Sequence, residues 1–336
     1  MIREALQKLV SHQDLGCDEA ATVMAEIMSG QATDAQIAAF AVALRMKGET
    51  VDEITGCARV MREKATRIRI ASPDVLDTCG TGGDAAGTFN ISTAAALVAA
   101  GAGCRVAKHG NRSVSSASGS ADVLRELGVK VDAEVTLVER CLAEAGIGFL
   151  FAPALHLAMK YAIGPRREMG IRTIFNILGP LTNPSFASRQ LLGVYDPKLL
   201  ETMARVLGNL GSTRCLVVHG DDGLDELTTT TTSRVCELDG GQIRSYTVHG
   251  SDYGLREARL DDLRVASPAE SAGVIREVLA GKPSPRRDIV LLNAAAALVA
   301  AGKAGDLAAG IGLAAEAIDS GSAARVLARL AAITNA

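Results

Sequence analysis

Residues 77–84 read DTCGTGGD and residues 88–93 read TFNIST, and they form a glycine-rich stretch between two apolar segments. The apolar pair 75–76 predicts the end of a strand before the glycines, and the alanine-rich run 94–100 predicts a helix after them. A glycine loop that opens a helix presents unpaired backbone N–H groups to an anion. The stretch therefore predicts a phosphate-binding site, with a tight turn and a Ser/Thr cap as the alternative for this loop alone.

A second loop rich in glycine and serine follows about one strand–helix unit later. The predicted strand Cys104–Ala107 leads into KHGNR at 108–112, and further serines and GSAD follow by residue 122. Neither loop fits the P-loop or the Rossmann pattern, so the sequence does not indicate an ordinary nucleotide site. Two such loops can flank one polyanion.

The first 65 or so residues are predicted to be helices only. Thr33 with Gln36 and Thr50 with Glu53 form capping-box patterns at two helix starts, and Gly48 predicts the end of the helix between them. These features predict a small helical domain at the N-terminus.

Strands and helices alternate from residue 75 onward, and further strands are predicted at Cys104–Ala107, Gly148–Phe151, Leu191–Tyr195 and Cys215–His219. The turn at 239–241 predicts a hairpin, and the β-branched run Thr228–Thr232 predicts an extended strand. The alanine-rich tail beyond Asn293 is predicted to form helices that cover the sheet. The fold class is therefore α/β, a small N-terminal all-helical domain plus a large α/β domain with a mostly parallel central sheet flanked by helices.

Composition excludes several other classes of protein. A net charge of −3 over 336 residues argues against a nucleic-acid-binding surface. The N-terminus lacks an apolar signal core and no run reaches membrane-spanning length, so we expect a cytoplasmic protein without a membrane partner. The seven cysteines form no C-x-x-C pair, which favours reduced thiols over disulfides or a zinc site.

Further motifs follow in a fixed order: GIRTIFN at 170–176, LGPLTNP at 178–184, HG at 219–220, GLDE at 223–226 and a segment at 288–293. Together with the two glycine loops, they resemble the anthranilate phosphoribosyltransferases, and the likeness spans nearly the whole chain. The resemblance implies transfer of the phosphoribosyl group of 5-phosphoribosyl-1-pyrophosphate to the amino group of anthranilate, releasing pyrophosphate, in L-tryptophan biosynthesis.

The same resemblance implies how the chain is organised. A helical domain of residues 1–70, joined by part of 165–187, would be hinged to an α/β donor-binding domain of residues 71–336. Both substrates would bind in the cleft between the domains, and the protein would form a homodimer through the helical domain.

The resemblance also implies a set of ligand-binding residues. Those expected to bind the pyrophosphate donor are Gly80, Gly82, Gly83, Asp84, Thr88, Asn90, Ile91, Ser92, Thr93, Lys108, Asn111, Ser115, Ser116 and Ser120. Gly80, Asn111 and Arg166 would border anthranilate, and the arginine fork matches its carboxylate bidentately.

Asp225 and Glu226 are adjacent carboxylates in a glycine-flanked loop, and hard oxygen ligands of this kind suit Mg²⁺ held jointly with substrate phosphates. By resemblance they would bind two magnesium ions per monomer, with Ser92 as a further ligand. No residue is assigned as a general acid or base, because an aromatic amine is already neutral at physiological pH. His109, His156 and Arg172 are given no definite role.

Two alternatives remain at the level of sequence. A pyrimidine nucleoside phosphorylase shares the architecture, but its typical lysine–histidine–serine phosphate loop is absent where residues 80–84 stand. A non-catalytic paralogue that binds nucleic acid would be expected to lose the acidic pair 225–226 and to gain basic surface. Neither expectation matches this sequence.

Overall fold

The computed structural model describes residues 1–70, 74–83, 86–112 and 119–336. Its N-terminal part contains helices α1 (Ile2–Val10), α2 (Cys17–Met28), α3 (Asp34–Lys47) and α4 (Val51–Lys64).

Both predicted capping boxes are confirmed at the starts of α3 and α4. The Thr33 hydroxyl accepts a hydrogen bond from the Gln36 amide at 3.3 Å, and the Thr50 hydroxyl accepts one from the Glu53 amide at 3.3 Å. Helix α3 ends at Gly48 as predicted, where a φ of 92° favours glycine.

The remaining chain supplies the strands β1 (Leu76–Gly80), β2 (Val106–Gly110), β3 (Ile147–Phe151), β4 (Arg189–Gly193), β5 (Arg214–Gly220), β6 (Thr232–Asp239) and β7 (Gln242–His249). Its helices are α5 (Ile91–Gly101), α6 (Ser120–Glu126), α7 (Val135–Glu144), α8 (Ala152–Leu155), α9 (Lys160–Met169), α10 (Ile174–Leu178), α11 (Leu199–Asn209), α12 (Leu260–Leu263), α13 (Pro268–Leu279), α14 (Pro285–Ala300), α15 (Leu307–Asp319) and α16 (Ser322–Thr334). Short 3₁₀ turns occur at Leu157–Met159, Gly179–Leu181 and Gly250–Tyr253.

Among the described residues, seven strands form one sheet in the order β3-β2-β1-β4-β5-β6-β7. Strands β1 to β5 pair in parallel, whereas β6 and β7 are antiparallel additions joined by the predicted turn at 239–241. The predicted fold class is therefore confirmed. Strand β1 lies between β2 and β4, so the strand order reverses beside it, and open α/β sheets bind ligands at such a reversal.

Strand β1 differs from its sequence prediction, which ended a strand at the apolar pair 75–76. The strand begins at Leu76 and continues through the polar residues to Gly80, paired with β4 throughout. Buried polar side chains are tolerated there because each has a hydrogen-bond partner, although the Asp77 Oδ2 atom has none among the described residues. The Asp77 carboxylate accepts from the His109 amide at 3.0 Å, and the Thr78 hydroxyl donates to the Ser92 carbonyl at 3.3 Å.

The prediction of an extended strand over Thr228–Thr232 was wrong, since β6 begins only at Thr232. The Thr228 hydroxyl donates to Asp222 Oδ2 at 2.7 Å and accepts from the Thr230 amide at 3.0 Å. These local bonds between side chains and backbone stabilise a loop in place of a β-ladder.

Buried apolar side chains pack against both faces of the sheet. Helices α5 and α14 are buried along most of their length, and α14 contacts β4 and β5, as predicted for the alanine-rich tail. Apolar side chains of α9 and α10 lie in the same cluster as those of α2, α3 and α4. The predicted domain arrangement requires such contacts, although the boundaries themselves stay a prediction.

Arg62 of α4 links the helical part to the α/β part. Its guanidinium is buried, and it donates to the Leu181 carbonyl at 2.6 Å and to the Leu210 carbonyl at 2.9 Å.

No helix in the described part of the chain is long and apolar enough to cross a membrane.

Candidate active site

The glycine loop, residues 80–83, lies where β1 ends beside β4. The Thr81 amide donates to the Gly193 carbonyl at 2.9 Å, and the Thr81 hydroxyl accepts from the Tyr195 amide at 3.1 Å. Gly82 and Gly83 have φ values of 67° and 79°, which favour glycine. The loop is thus fixed along the end of β4 and leaves the sheet in a left-handed conformation.

The loop of residues 221–231 between β5 and β6, called the acidic loop below, reaches this glycine loop. Asp225 Oδ2 accepts a hydrogen bond from the Gly82 amide at 2.7 Å. A Cβ atom on Gly80 would collide with that oxygen, and one on Gly193 would collide with the Asp225 carbonyl oxygen. Glycine at the ends of β1 and β4 therefore makes room for the acidic loop, and it brings together motifs that are distant in sequence.

The N-terminus of α5 forms a second side of the site. Asn90 caps the helix, and its side-chain oxygen accepts from the Thr93 amide at 3.1 Å. Within the described chain, the amides of Ile91 and Ser92 are left without a protein acceptor. The buried side chains of Ile91 and Thr93 pack into the core. An anion would therefore meet the Ile91 and Ser92 backbone and the Ser92 hydroxyl.

Lys108 joins the ends of β1 and β2 to the start of α5. Its ammonium donates to the Thr78 carbonyl at 2.6 Å and to the Ser92 hydroxyl at 3.2 Å, and the side chain is buried. Burial lowers the pKa of Lys108, while the nearby carboxylates, including those of Asp225 and Glu226, act in the opposite direction. The structure therefore brings Lys108, Ser92 and the acidic pair into one electrostatic environment.

Thr88, Asn111 and Ser120 are predicted donor-binding residues on other segments of the α/β part. Thr88 forms an isolated bridge with Arg264. Ser120, at the start of α6, donates to the Asn111 carbonyl at 3.3 Å, and the Asn111 side chain accepts from the following amide at 2.7 Å. The predicted residues Asp84, Ser115 and Ser116 lie outside the described residues.

Arg166, the predicted anthranilate-binding residue, lies on α9. Its guanidinium carbon is 5.5 Å from the centre of the Phe175 ring, and the side chain is half-buried. Burial lowers its pKa, although an arginine keeps its charge at neutral pH. None of the carboxylates in the described part of the chain pairs with Arg166. A half-buried cation of this kind is suited to an incoming carboxylate.

His109 and His156, which sequence reasoning left without a role, form a buried pair. Their Nε2 atoms lie 3.2 Å apart. Burial lowers the pKa of His109 and lowers the pKa of His156 to about 4. Both rings are therefore neutral at pH 7, and the pair adds no positive charge to the site.

Arg172 connects the chain after α9 to the glycine loop. Its Nη2 donates to the Gly83 carbonyl, and its guanidinium carbon lies 4.4 Å from the centre of the Tyr195 ring. The sequence offered one signal for this contact, the position of Arg172 within the GIRTIFN motif. The segment that carries Arg166 is thus tied to the glycine loop.

Sequence reasoning missed several buried polar residues that support the site. Asp77 accepts from the His109 amide, and burial raises its pKa. Asn183 donates to the Ala107 carbonyl at 2.8 Å, directly before Lys108. Both belong to motifs that carried the resemblance, but the motifs alone give no reason for these side chains.

The available oxygen donors fit a magnesium ion that is only partly coordinated by the protein. Across the described residues, no group of three or more His, Cys, Asp or Glu side chains forms a ready-made metal site. The carboxylates of Asp225 and Glu226 and the Ser92 hydroxyl are hard oxygen donors beside a phosphate-type loop. Such a set suits Mg²⁺ that completes its coordination with substrate phosphates and water.

Comparison with known proteins agrees with this geometry. The chain matches the glycosyl transferase family a/b domain over residues 72–324 and the helical bundle domain of that family over residues 3–65. It is 55% identical to the anthranilate phosphoribosyltransferase of Geotalea uraniireducens, with 100% of each chain covered. It is 58% identical to that of Moorella thermoacetica, with 97% of this chain and 96% of the relative covered.

Solved structures give the same result. The fold is similar to the crystal structure of anthranilate phosphoribosyltransferase from Thermus thermophilus, with a TM-score of 0.94, 43% identity and 99% of each chain covered. It is also similar to the Saccharomyces cerevisiae enzyme in complex with PRPP and Mg, with a TM-score of 0.91, 28% identity, and 99% of this chain and 98% of that chain covered. This chain belongs to the anthranilate phosphoribosyltransferase family.

Proposed function

We propose that this protein transfers the phosphoribosyl group of 5-phosphoribosyl-1-pyrophosphate to the amino group of anthranilate and releases pyrophosphate, as a Mg²⁺-dependent step of L-tryptophan biosynthesis. The observation that carries the proposal is the convergence of Lys108, the N-terminus of α5 and the acidic loop around one glycine loop. The Saccharomyces cerevisiae relative has been solved with PRPP and Mg, and separately with 4-fluoroanthranilate.

The chemistry places its demands on the leaving group. Displacement at carbon 1 of the sugar passes through a positively charged, oxocarbenium-like state while negative charge accumulates on pyrophosphate. The Lys108 ammonium is a fixed donor for that charge, and so are the Ile91 and Ser92 amides, which have no acceptor among the described residues. Fixed donors in a buried site stabilise such charge strongly. Gly80, Gly82 and Gly83 allow the backbone to approach the phosphates closely.

Magnesium bound to the donor would neutralise part of the same charge. We expect two magnesium ions per monomer. They would be held by Asp225, Glu226 and Ser92. The Gly82 amide, which now donates to Asp225, keeps one carboxylate oriented toward the glycine loop.

Anthranilate would be held through its carboxylate by Arg166, with Asn111 and Gly80 beside it. Its amine then faces carbon 1 without help from a strong base, since an aromatic amine is already neutral at physiological pH. The neutral His109–His156 pair agrees with this scheme, because a buried pair with lowered pKa values shapes the pocket without adding charge.

The proposal extends to the organisation of the protein. We propose a helical domain of residues 1–70 with part of 165–187, a donor-binding domain of residues 71–336, and a homodimer through the helical domain in the cytoplasm. Exposed apolar side chains on α1, α3 and α9, among them Val10, Met46 and Ile163, support the dimer.

A direct assay tests the reaction. Purified protein is incubated with anthranilate, the pyrophosphate donor and Mg²⁺, and the loss of anthranilate fluorescence is followed together with pyrophosphate release. We expect equal amounts of both, and no reaction after chelation of the metal. Phosphorolysis of a pyrimidine nucleoside, without consumption of anthranilate, would overturn the proposal.

A further inference from the structure

The acidic loop has a buried support whose residues have no assigned role. Asn293 lies on α14 and is completely buried. Its Oδ1 accepts from the Leu227 amide at 3.0 Å, and its Nδ2 donates to the Leu227 carbonyl at 2.7 Å and to the Ile289 carbonyl at 2.9 Å. Because Leu227 directly follows Glu226, this clamp fixes the backbone at one side of the acidic pair.

Asp222 fixes the other side of the pair. Its Oδ1 accepts from the Leu224 amide at 3.2 Å, and its Oδ2 accepts from the hydroxyls of Thr228 and Thr230. The Leu224 carbonyl in turn accepts from the Gly220 amide at 2.9 Å. The carboxylate therefore ties the residues before the acidic pair to the residues after it.

Simple packing does not require these polar groups. The neighbours of Asn293 along α14 are isoleucine, valine, leucine and alanine side chains, and a buried amide is costly unless it is fully bonded. Strands β5 and β6 are antiparallel neighbours, which a loop of two to five residues usually joins, whereas the acidic loop spans residues 221–231. A long loop held by dedicated side chains indicates a required backbone geometry.

We infer that Asn293 and Asp222 are positioning residues for the transfer reaction, because they hold the acidic loop where Asp225 meets the glycine loop. The inference rests on the proposed function, in which the acidic pair holds Mg²⁺. Partners that orient metal ligands typically contribute tenfold to a hundredfold in metal affinity. Loosening either support should therefore weaken metal binding while the carboxylates themselves remain present.

The test uses two single variants, Asp222→Ala and Asn293→Ala. The comparator is the double variant Asp225→Asn with Glu226→Gln. Binding of Mn²⁺ to the complex of each protein with pyrophosphate is measured by electron paramagnetic resonance, and the exchange of loop amides is followed by mass spectrometry. We expect Mn²⁺ to bind about tenfold more weakly to each single variant. Amides of residues 221–231 should exchange faster, and raising Mg²⁺ should restore turnover to within about threefold of the unmodified protein.

Val290→Ala is the matched control, since Val290 is equally buried on α14. It should lower the unfolding temperature without changing Mn²⁺ affinity. If Asn293→Ala does not fold, the more exposed Asp222→Ala decides the question. Normal Mn²⁺ affinity in the supporting variants, with weak binding in the comparator, would overturn the inference and leave the function standing. Normal affinity in the comparator as well would remove the metal assignment itself.

Discussion

Arg166 is the side chain that we propose binds the anthranilate carboxylate. It is half-buried, its described neighbour is the Phe175 ring, and burial lowers its pKa. The cost of partial burial is offset when a carboxylate forms two parallel hydrogen bonds with the guanidinium. Lysine keeps the charge but lacks this fork.

We expect Arg166→Ala to raise KM for anthranilate about tenfold to a hundredfold, since hydrogen bonds between charged groups contribute about 1.5–3 kcal/mol. Arg166→Lys should show an intermediate effect. KM for the pyrophosphate donor should change less than about threefold, because the glycine loop and Lys108 are untouched. Steady-state kinetics with each substrate varied separately measures both values. The exposed neighbour in Arg167→Ala is the control, and an equal rise in both KM values would refute the assignment.

The site could be predicted from sequence only in part. Lys108 and the acidic pair stand in motifs whose chemistry is visible without a structure. Asn293 was visible only as part of a motif, because its purpose depends on Leu227, 66 residues away in the chain. Contacts of this kind depend on tertiary packing, which local spacing does not encode.

At the scale of elements, the antiparallel end of the sheet depends on one buried carboxylate. Glu237 of β6 is fully buried, and it accepts from Arg214 of β5 at 2.8 Å and from Arg244 of β7 at 2.8 Å. The Tyr246 hydroxyl also donates to it at 3.0 Å. Burial acts to raise the pKa of Glu237, but these donors hold it below its ordinary value.

Glu237→Gln should lower the free energy of unfolding by about 2 kcal/mol at pH 7. Breaking a buried ion pair typically costs about 3–5 kcal/mol, and the exposure of Arg244 reduces that value. Because the folded pKa is lowered, the stabilisation is present above the unfolded pKa and is lost as the pH falls through the folded one. Urea unfolding should therefore show a smaller difference at about pH 3.5 than at pH 7.

Glu201→Gln is the control for this experiment, since it removes an exposed ion pair with Arg205. We expect a change below about 0.5 kcal/mol. A comparable loss in both variants would show that the buried network has no special weight.

The threonine run before β6 shows why one element was predicted wrongly. β-Branched residues favour strands on average. Here the hydroxyls of Thr228 and Thr230 donate to Asp222, and these bonds stabilise a loop instead.

For the whole molecule, the sequence was sufficient to predict two kinds of region and a mostly parallel sheet. It was not sufficient to define the contact between them, such as the bonds from Arg62 to the Leu181 and Leu210 carbonyls. Association between chains is still harder to predict from sequence, since it depends on the shape of the folded surface. Val10 and Met46 are 69% and 77% exposed at the ends of α1 and α3, two helices that pack together.

We expect Val10→Glu combined with Met46→Glu to convert the proposed dimer into a monomer of 34.8 kDa. Two charges placed in an apolar contact would have to be desolvated without partners. Light scattering coupled to gel filtration measures the mass. Leu313→Glu on α15, also an exposed apolar position, should leave the mass unchanged. A monomer before any substitution would disprove the dimer, and a double variant of unchanged mass would move the interface elsewhere.

The two glycines that end β1 and β4 have a consequence for how this sequence can change over generations. Side chains at Gly80 or Gly193 would collide with Asp225, which belongs to a distant part of the chain. A lineage can replace either glycine only after its acidic loop has shifted, and a shifted loop would give up the Gly82 contact. We therefore expect Gly80, Gly193 and Asp225 to be inherited as a unit. A substitution at one of these positions that is harmless in one descendant should be lethal in another.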